Sequence, residues 1–431
     1  MTKFIAIIFT VCITSFYYFP VSFTFLPSVN LKTLLAVIGI GVLGIDMTRN
    51  RNALLNRGFL YLMVLALLVS LSSFFAVVYN NTLDYTYVTY VISMFIWLSA
   101  AYVVILLIQK VHGKLSVILV CNYLIVVCSL QCIIALMVDL CKPVKIWVDT
   151  WFNSGSEWLD SVNRMYGIGA MLDVAGIRFS AVLIMIAYII THIDNSRLKR
   201  FLPWYIVAFI IITVIGNMMA RTTSVGAIIG VVYIVYKTDI YKFRFSIATK
   251  KMWIWIIALL TVTLLIVIYF YQTNNAFYTD IRFAFEGFFS LVEKGRWEVD
   301  SNEVLKGMIV FPETLKTWFI GDGYMLNPRD INPYYIGSFY YGYYKGTDIG
   351  YLRFIFYFGI VGLLLFMYLI YMIAKICMHK FQTQKMLFFL LLMLNYIVWL
   401  KVSTDIFSVF ALFFLVDELE NAKYNENILL Q

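Results

Sequence analysis

Arginine is the side chain through which this sequence offers chemistry. Arg164 stands in Asn163-Arg164-Met165-Tyr166-Gly167-Ile168-Gly169, and Arg178 lies just inside an apolar stretch that opens at Gly176. Arg221 sits in Gly216-Asn217-Met218-Met219-Ala220-Arg221-Thr222-Thr223-Ser224-Val225-Gly226, between two short apolar segments. A guanidinium keeps its charge and can grip two phosphate oxygens at once, so arginines gathered on one side of a membrane suit a diphosphate. Thr222 and Thr223 fall where the next helix begins, and free N–H groups at the positive end of a helix dipole favour an anion there. The plainer alternative is that Thr222 caps the helix and Arg221 snorkels to headgroups.

Other candidates are scattered along the last third. Asp348, in Thr347-Asp348-Ile349-Gly350-Tyr351-Leu352-Arg353, is either a general base or the N-cap of the following helix. Arg282, Arg329, Arg353 and Lys401 are candidate substrate-binding cations, with Tyr324 of the Gly321-Asp322-Gly323-Tyr324 turn beside them. Lys401 and Asp405 also fit an i,i+4 ion pair. Tyr334-Tyr335, Phe339-Tyr340-Tyr341 and Tyr343-Tyr344 serve either as platforms for sugar rings or as an interfacial aromatic belt. His112, His192 and His379 all fall at the inner face of the orientation argued below, so no histidine base or histidine-held metal is expected at an outer site. The six cysteines show no CxxC and no regular spacing, which excludes a disulfide framework and a zinc site. Neither metal nor cofactor is expected.

The scaffold that must position these side chains is membrane-embedded. Of 431 residues, 62% are hydrophobic and only 13% charged, too little polar material to cover a water-soluble domain. The net charge of +9 is spread through short loops between apolar segments, a pattern that sets orientation and does not indicate nucleic acid. Segments long enough to span are Phe4 to Leu26, Leu31 to Met47, Gly58 to Tyr79, Tyr87 to Ile108 and Leu115 to Leu140. Gly176 to Ile193, Phe201 to Met218, Thr222 to Tyr236, Met252 to Tyr271 and Ile349 to Ile373 follow. Met386 to Val416 would be about 46 Å long as one helix, so a hairpin turning near Lys401 to Asp405 is preferred. The expectation is an all-α integral membrane protein, a polytopic bundle of about twelve transmembrane helices. Residues 1–431 form one polytopic membrane domain, and the first apolar stretch is a retained span, since no small-x-small cleavage site precedes Phe16-Tyr17-Tyr18-Phe19-Pro20.

With both termini cytoplasmic, the loops Thr48 to Arg57, Gln109 to Lys114, Asp194 to Arg200, Lys237 to Lys251 and Ala374 to Lys385 fall inside and carry the Lys and Arg that the positive-inside rule requires. Two long segments then lie outside, 141–175 and the larger 272–347. Long loops on a rigid scaffold are where sites are built. Within the larger one, Ile281 to Lys294 and Ser301 to Phe311 have the pattern of amphipathic helices lying on a membrane. No internal repeat stands out, which counts against a transporter of matched inverted repeats.

Thr347 to Phe366, TDIGYLRFIFYFGIVGLLLF, resembles the late signature of the O-antigen and capsular polysaccharide polymerases, the Wzy-type branch of the O-antigen ligase/polymerase superfamily. Gly321 to Tyr324 is similar to the Gly-rich turn that precedes that signature. Ala220 to Gly226 resembles the family's Arg-Ser/Thr-rich segment, and Arg164 to Phe179 its first arginine-bearing outer loop. The resemblance covers the stretch from Arg164 to Phe366, and the first five expected spans match in hydropathy only. It implies a GT-C-like, metal-independent glycosyltransferase that joins polyprenyl-diphosphate-linked repeat units, donor and acceptor alike, at the outer face of a bacterial cytoplasmic membrane. Arg164, Arg178 and Arg221 would hold the diphosphate and Asp348 would serve as base; a chain-length regulator and a flippase are the implied partners. Related ligases, which transfer glycan to a lipid core, place a histidine before the late span; this chain has Thr347-Asp348, which favours polymerase. A flippase or exporter of lipid-linked sugars is the alternative from another class, disfavoured because the notable charges gather at one face.

Overall fold

The computed structural model describes residues 2–49, 57–162, 164–192, 200–239, 247–340 and 342–416. The first helix, Thr2–Tyr18, stops short of Pro20, because the residue before a proline is pushed out of helical backbone. The chain turns there into strands Ser22–Phe23 and Leu26–Asn30, which pair antiparallel, and Ser22–Phe23 pairs on its other side with Phe152–Asn153. Apart from this small sheet, regular structure among the described residues is helical, with sixteen helices of seven or more residues.

Seven of these helices are long and apolar enough to cross a membrane: Arg57–Tyr79, Tyr90–His112, Val117–Leu140, Leu172–Thr191, Leu202–Met219, Trp253–Thr273 and Gly350–Lys380. The protein is a multi-pass membrane protein. The expected count of about twelve is corrected to seven among the described residues, and the reason is length. Lys3–Tyr18, Leu31–Ile45, Thr223–Lys237 and Gln382–Val398 are apolar but have only 10–17 residues. The last apolar stretch is a hairpin, as expected, and its helices Lys385–Val398 and Phe407–Phe414 are both short. They run antiparallel: Phe388 meets Phe413 with ring centroids 5.3 Å apart, and Asn395 Oδ1 accepts from the Ile406 N–H at 3.0 Å. Residues 402–406 are not helical, so Lys401 and Asp405 do not share a helix face; Asp405 accepts from the Phe407 N–H at 2.8 Å. The basic loops read at 48–57, 194–200 and 237–251 lie partly outside the described residues, and Asn163 and Tyr341 lie wholly outside them.

The described chain forms two compact units, one drawn from Met1–Leu35, Val104–Trp297 and Leu415–Gln431, the other from Ala36–Val103 and Glu298–Phe414. In the first, Leu172–Thr191 is the axis, buried without interruption from Ala175 to Ile190. Val117–Leu140, Leu202–Met219 and Thr223–Lys237 pack around it. Thr223–Lys237 runs parallel to the axis: Gly226 lies against Ser180, Gly230 against Ala187, and the Tyr233 and Tyr188 rings are 6.3 Å apart. Small residues make this approach possible, since a Cβ on Gly226 would run into the Ser180 backbone and one on Gly176 into the Thr222 hydroxyl. Ser180 Oγ ties the seam, donating to the Thr222 carbonyl at 2.8 Å and accepting from the Gly226 N–H at 3.1 Å. The N-terminal ends of both helices therefore lie together.

In the second unit Gly350–Lys380 packs on Arg57–Tyr79 and on the terminal hairpin. It is broken where Phe358 (φ −131°) and Gly359 (φ 68°, ψ −177°) leave helical backbone. A helix cannot close its own bonds across such a break, and the carbonyls of Phe356 and Tyr357 accept instead from the N–H groups of Asp322 (2.6 Å) and Gly323 (3.1 Å). The Gly321 to Tyr324 turn is thus seated in the kink, with Gly321 (φ 86°) and Gly323 (φ 72°) in the left-handed region.

The amphipathic pattern over Ile281 to Lys294 is two helices, Asn275–Ala284 and Glu286–Lys294, divided at Phe285, whose ψ of 28° is not helical. The second stretch is the helix Asp300–Gly307.

Candidate functional site

Arg164 leaves a loop that the first unit grips tightly. Its N–H bonds the Leu159 carbonyl at 2.9 Å, ending the short Ser156–Ser161 helix. Beyond it, the Gln131 amide of Val117–Leu140 binds Ile168 in both directions, accepting from its N–H and donating to its carbonyl, each at 3.0 Å. Gly167 and Gly169 are required by this close approach: a Cβ on Gly167 would meet Gln131 Oε1, and Gly169 has a φ of 72°. Gln131 is a site-shaping residue that sequence reasoning passed over; a glutamine inside an apolar span was the available signal.

Arg221 is presented by the extended Ala220 backbone (φ −158°, ψ 122°) that separates Leu202–Met219 from Thr223–Lys237. Its guanidinium lies 3.9 Å from the centroid of the Phe283 ring, and that of Arg164 lies 3.7 Å from the same ring. Arg221 Nε donates to the Phe283 carbonyl at 3.0 Å, and its Nη2 pairs with Glu286 Oε2 at 2.5 Å. One aromatic ring thus carries two cations from segments far apart in sequence, next to the point where two parallel helices begin. Burial, then the neighbouring Arg221 charge, pull the Arg164 guanidinium below its ordinary value, while Asp173, Asp280 and Glu286 act in the opposite direction. Guanidinium remains charged under these influences. The group is therefore a cationic pair with carboxylates close by, suited to exchange a carboxylate for an anionic ligand.

Comparison with protein-family models, curated proteins and solved structures finds no match for this chain. Its chemistry has to be read from its own side chains.

The remaining expected residues are dispersed. Arg178 is buried on the axis helix, 5.8 Å from the centroids of both Tyr18 and Phe19, and its carbonyl accepts from the Tyr18 hydroxyl at 3.1 Å. Thr222 holds the N-cap position without a side-chain cap bond: its hydroxyl donates instead to Asp173 Oδ1 at 2.9 Å, which joins the first turns of the two parallel helices. Thr223 is fully buried and donates to the Gly216 carbonyl at 2.9 Å. Both threonines thus build the junction that presents Arg221. Arg282 turns to Glu293, with two contacts of 2.7 Å.

In the second unit Asp348 is not the helix cap, since Ile349 holds that position and Asp348 pairs with Arg353 at 3.3 Å. Arg353 also donates to the Met325 carbonyl at 3.3 Å and lies 3.6 Å from the Tyr343 ring centroid. Tyr324 is enclosed by Tyr335 and Tyr344, with centroids 5.8 and 5.4 Å away, and Arg329 lies 5.0 Å from Phe339. Lys401 is in the hairpin turn, its N–H on the Val398 carbonyl at 2.9 Å. Asp84, absent from the sequence reading, organises this region: it is 2% exposed and accepts from the N–H groups of Met325 (2.7 Å) and Leu326 (3.1 Å). Among the described residues no group of histidine, cysteine, aspartate and glutamate side chains could hold a metal ion.

Proposed function

We propose that the protein polymerises polyprenyl-diphosphate-linked oligosaccharide repeat units into a surface polysaccharide, O-antigen or capsule, at the outer face of the bacterial cytoplasmic membrane. The observation that carries this reading is the meeting of Arg164 and Arg221 on one ring, Phe283, beside the N-terminal ends of two parallel helices. Both cations and both dipole ends favour the same ligand class, a di-anionic phosphate group. The positive-inside distribution of Lys and Arg supports an outer location for this end, and the order of the Arg164, Arg221, Gly321 to Tyr324 and Thr347 to Phe366 segments supports the resemblance to Wzy-type polymerases.

In this reaction the growing glycan leaves its carrier and joins the free sugar end of a second carrier-bound unit. The leaving group is the carrier's diphosphate, whose negative charge grows as the glycosidic bond to it breaks. Fixed guanidiniums that meet this charge act mainly in the transition state. Before substrate binds, Glu286 occupies Arg221, and the diphosphate takes its place. Arg178 lies on the axis helix against Tyr18 and Phe19. Asp348 is tied to Arg353 and holds the start of the late helix.

The test is the length distribution of surface polysaccharide in the native host deleted for this protein and rescued with wild type or with Arg221→Ala. Single repeat units on the acceptor lipid after deletion, with the long-chain ladder restored by wild type alone, are expected. Truncating a desolvated charge contact costs about 2–5 kcal/mol, so Arg221→Ala should lower polymer formation by two to three orders of magnitude. Full-length polymer accumulating unattached on its carrier would make the protein a ligase. Repeat units trapped inside the cell would make it a flippase.

A further inference from the structure

The helix that carries Phe283 also carries a carboxyl that the reaction above leaves unused. Asp280 stands three residues before Phe283, hence on the same helix face, and is only 8% exposed. The carboxyl of Asp139, near the end of Val117–Leu140, is a neighbouring acid that acts on it electrostatically. Among the described residues no N–H or hydroxyl donates to the buried Asp280 Oδ2. A buried acceptor without a donor is costly for folding, and the cation acting on it is Arg164, one of the two on Phe283.

We propose that Asp280 is the general base that takes the proton from the acceptor sugar hydroxyl, with Asp139 as its positioning residue. The inference rests on the polymerase reading. The acceptor oxygen forms its bond to the anomeric carbon of the donor, and its proton passes to the Asp280 carboxylate. The bond from that carbon to the diphosphate breaks, and its electron pair leaves with the diphosphate held by Arg164 and Arg221. Asp280 then returns the proton to water.

Burial, then the neighbouring Asp139 carboxyl, push the Asp280 carboxyl up to about 7, against the opposing pull of Arg164. A base is most effective when its proton affinity lies near the working pH. Arg221 and Glu286 complete the set of charges around Phe283.

The experiment uses the full-length protein in lipid nanodiscs with the host's polyprenyl-diphosphate-linked repeat unit, following polymer formation against pH and polyprenyl diphosphate binding separately. Because the base must be unprotonated, the wild-type kcat/KM is expected to rise with pH and level off above a midpoint near 7. Asp139→Asn removes a negative neighbour and supplies an amide donor, both of which favour the Asp280 carboxylate, so the midpoint should move to lower pH. Asp280→Asn is expected to lower kcat by about 10²- to 10⁴-fold with diphosphate binding unchanged, and Asp280→Glu to restore part of it. A flat wild-type profile, an unmoved midpoint in Asp139→Asn, or Asp280→Asn within threefold of wild type would overturn the base while polymer formation upheld the polymerase. A wild-type protein that binds the diphosphate and makes no polymer would overturn both. The wild-type profile needs no variant, so a folding defect in Asp280→Asn does not shelter the proposal.

Discussion

Each unit of this protein lays a guanidinium on an aromatic ring, and the two contacts mean different things. In the second unit Arg353 lies on Tyr343, with Asp348 as its own carboxylate and the Met325 carbonyl as a further acceptor. One buried cation there is met by one carboxylate, one carbonyl and one ring, and the arrangement fastens a loop to the start of a helix. In the first unit Arg164 and Arg221 share Phe283, and bringing two like charges onto one ring opposes folding. Carboxylates lessen that cost, with Glu286 directly on Arg221. A cluster that repels itself is a better sign of ligand binding than a well-paired cation, because a structural role would not need the second charge.

The largest effect expected from breaking this comparison is on the structural side. Gly359→Ala places a side chain at φ 68°, ψ −177°, where only glycine is at ease, and its Cβ would collide with the Phe319 carbonyl. A loss of about 3 kcal/mol or more is expected, read as a lowered unfolding temperature in detergent. Unchanged stability would mean that the kink does not seat the Gly321 to Tyr324 turn. Next comes Arg164→Ala, which should lower kcat/KM by 30- to 100-fold, about 2–3 kcal/mol, while stability holds or rises as the repulsion with Arg221 is relieved. A variant that loses stability and keeps its turnover number would make Arg164 a structural cation like Arg353.

Much of the scaffold was legible in the sequence because hydropathy reports burial directly. The hairpin at Lys401 to Asp405 followed from a length no single helix could have, and the structure has it. The count of spans was overread, because an apolar run includes residues that leave the helix: Phe4 to Leu26 runs past Tyr18 and Pro20 into the strand Ser22–Phe23. Of the site, Arg164 and Arg221 were legible as exceptions in apolar surroundings. Phe283, Asp280 and Asp139 were not, since an aromatic in a mixed loop and an aspartate at a span's edge look ordinary until the chain is folded. Thr222 and Asp348 each carried capping as the plainer alternative; Thr222 holds the N-cap position but turns its hydroxyl to Asp173, and Asp348 leaves the cap to Ile349. A hydroxyl or carboxylate near a helix start has several possible partners, and packing chooses among them.

The smallest expected effect discriminates most sharply between the two regions. Asp348→Asn keeps size and shape and removes the charge that faces Arg353 across 3.3 Å. Arg353 retains the Tyr343 ring and the Met325 carbonyl, so the loss should be about 1 kcal/mol, the scale of a single partly solvated charged contact. If proton removal belongs to Asp280, the pH profile of Asp348→Asn should overlay that of wild type, with its midpoint still near 7. A hundredfold fall in kcat with the acid limb abolished would instead return the base to the second unit, and Asp280 would then be a buried acid with a structural proton. Measuring unfolding temperature and pH profile on the same preparation separates these cases, because a broken fastening lowers the first and leaves the shape of the second unchanged.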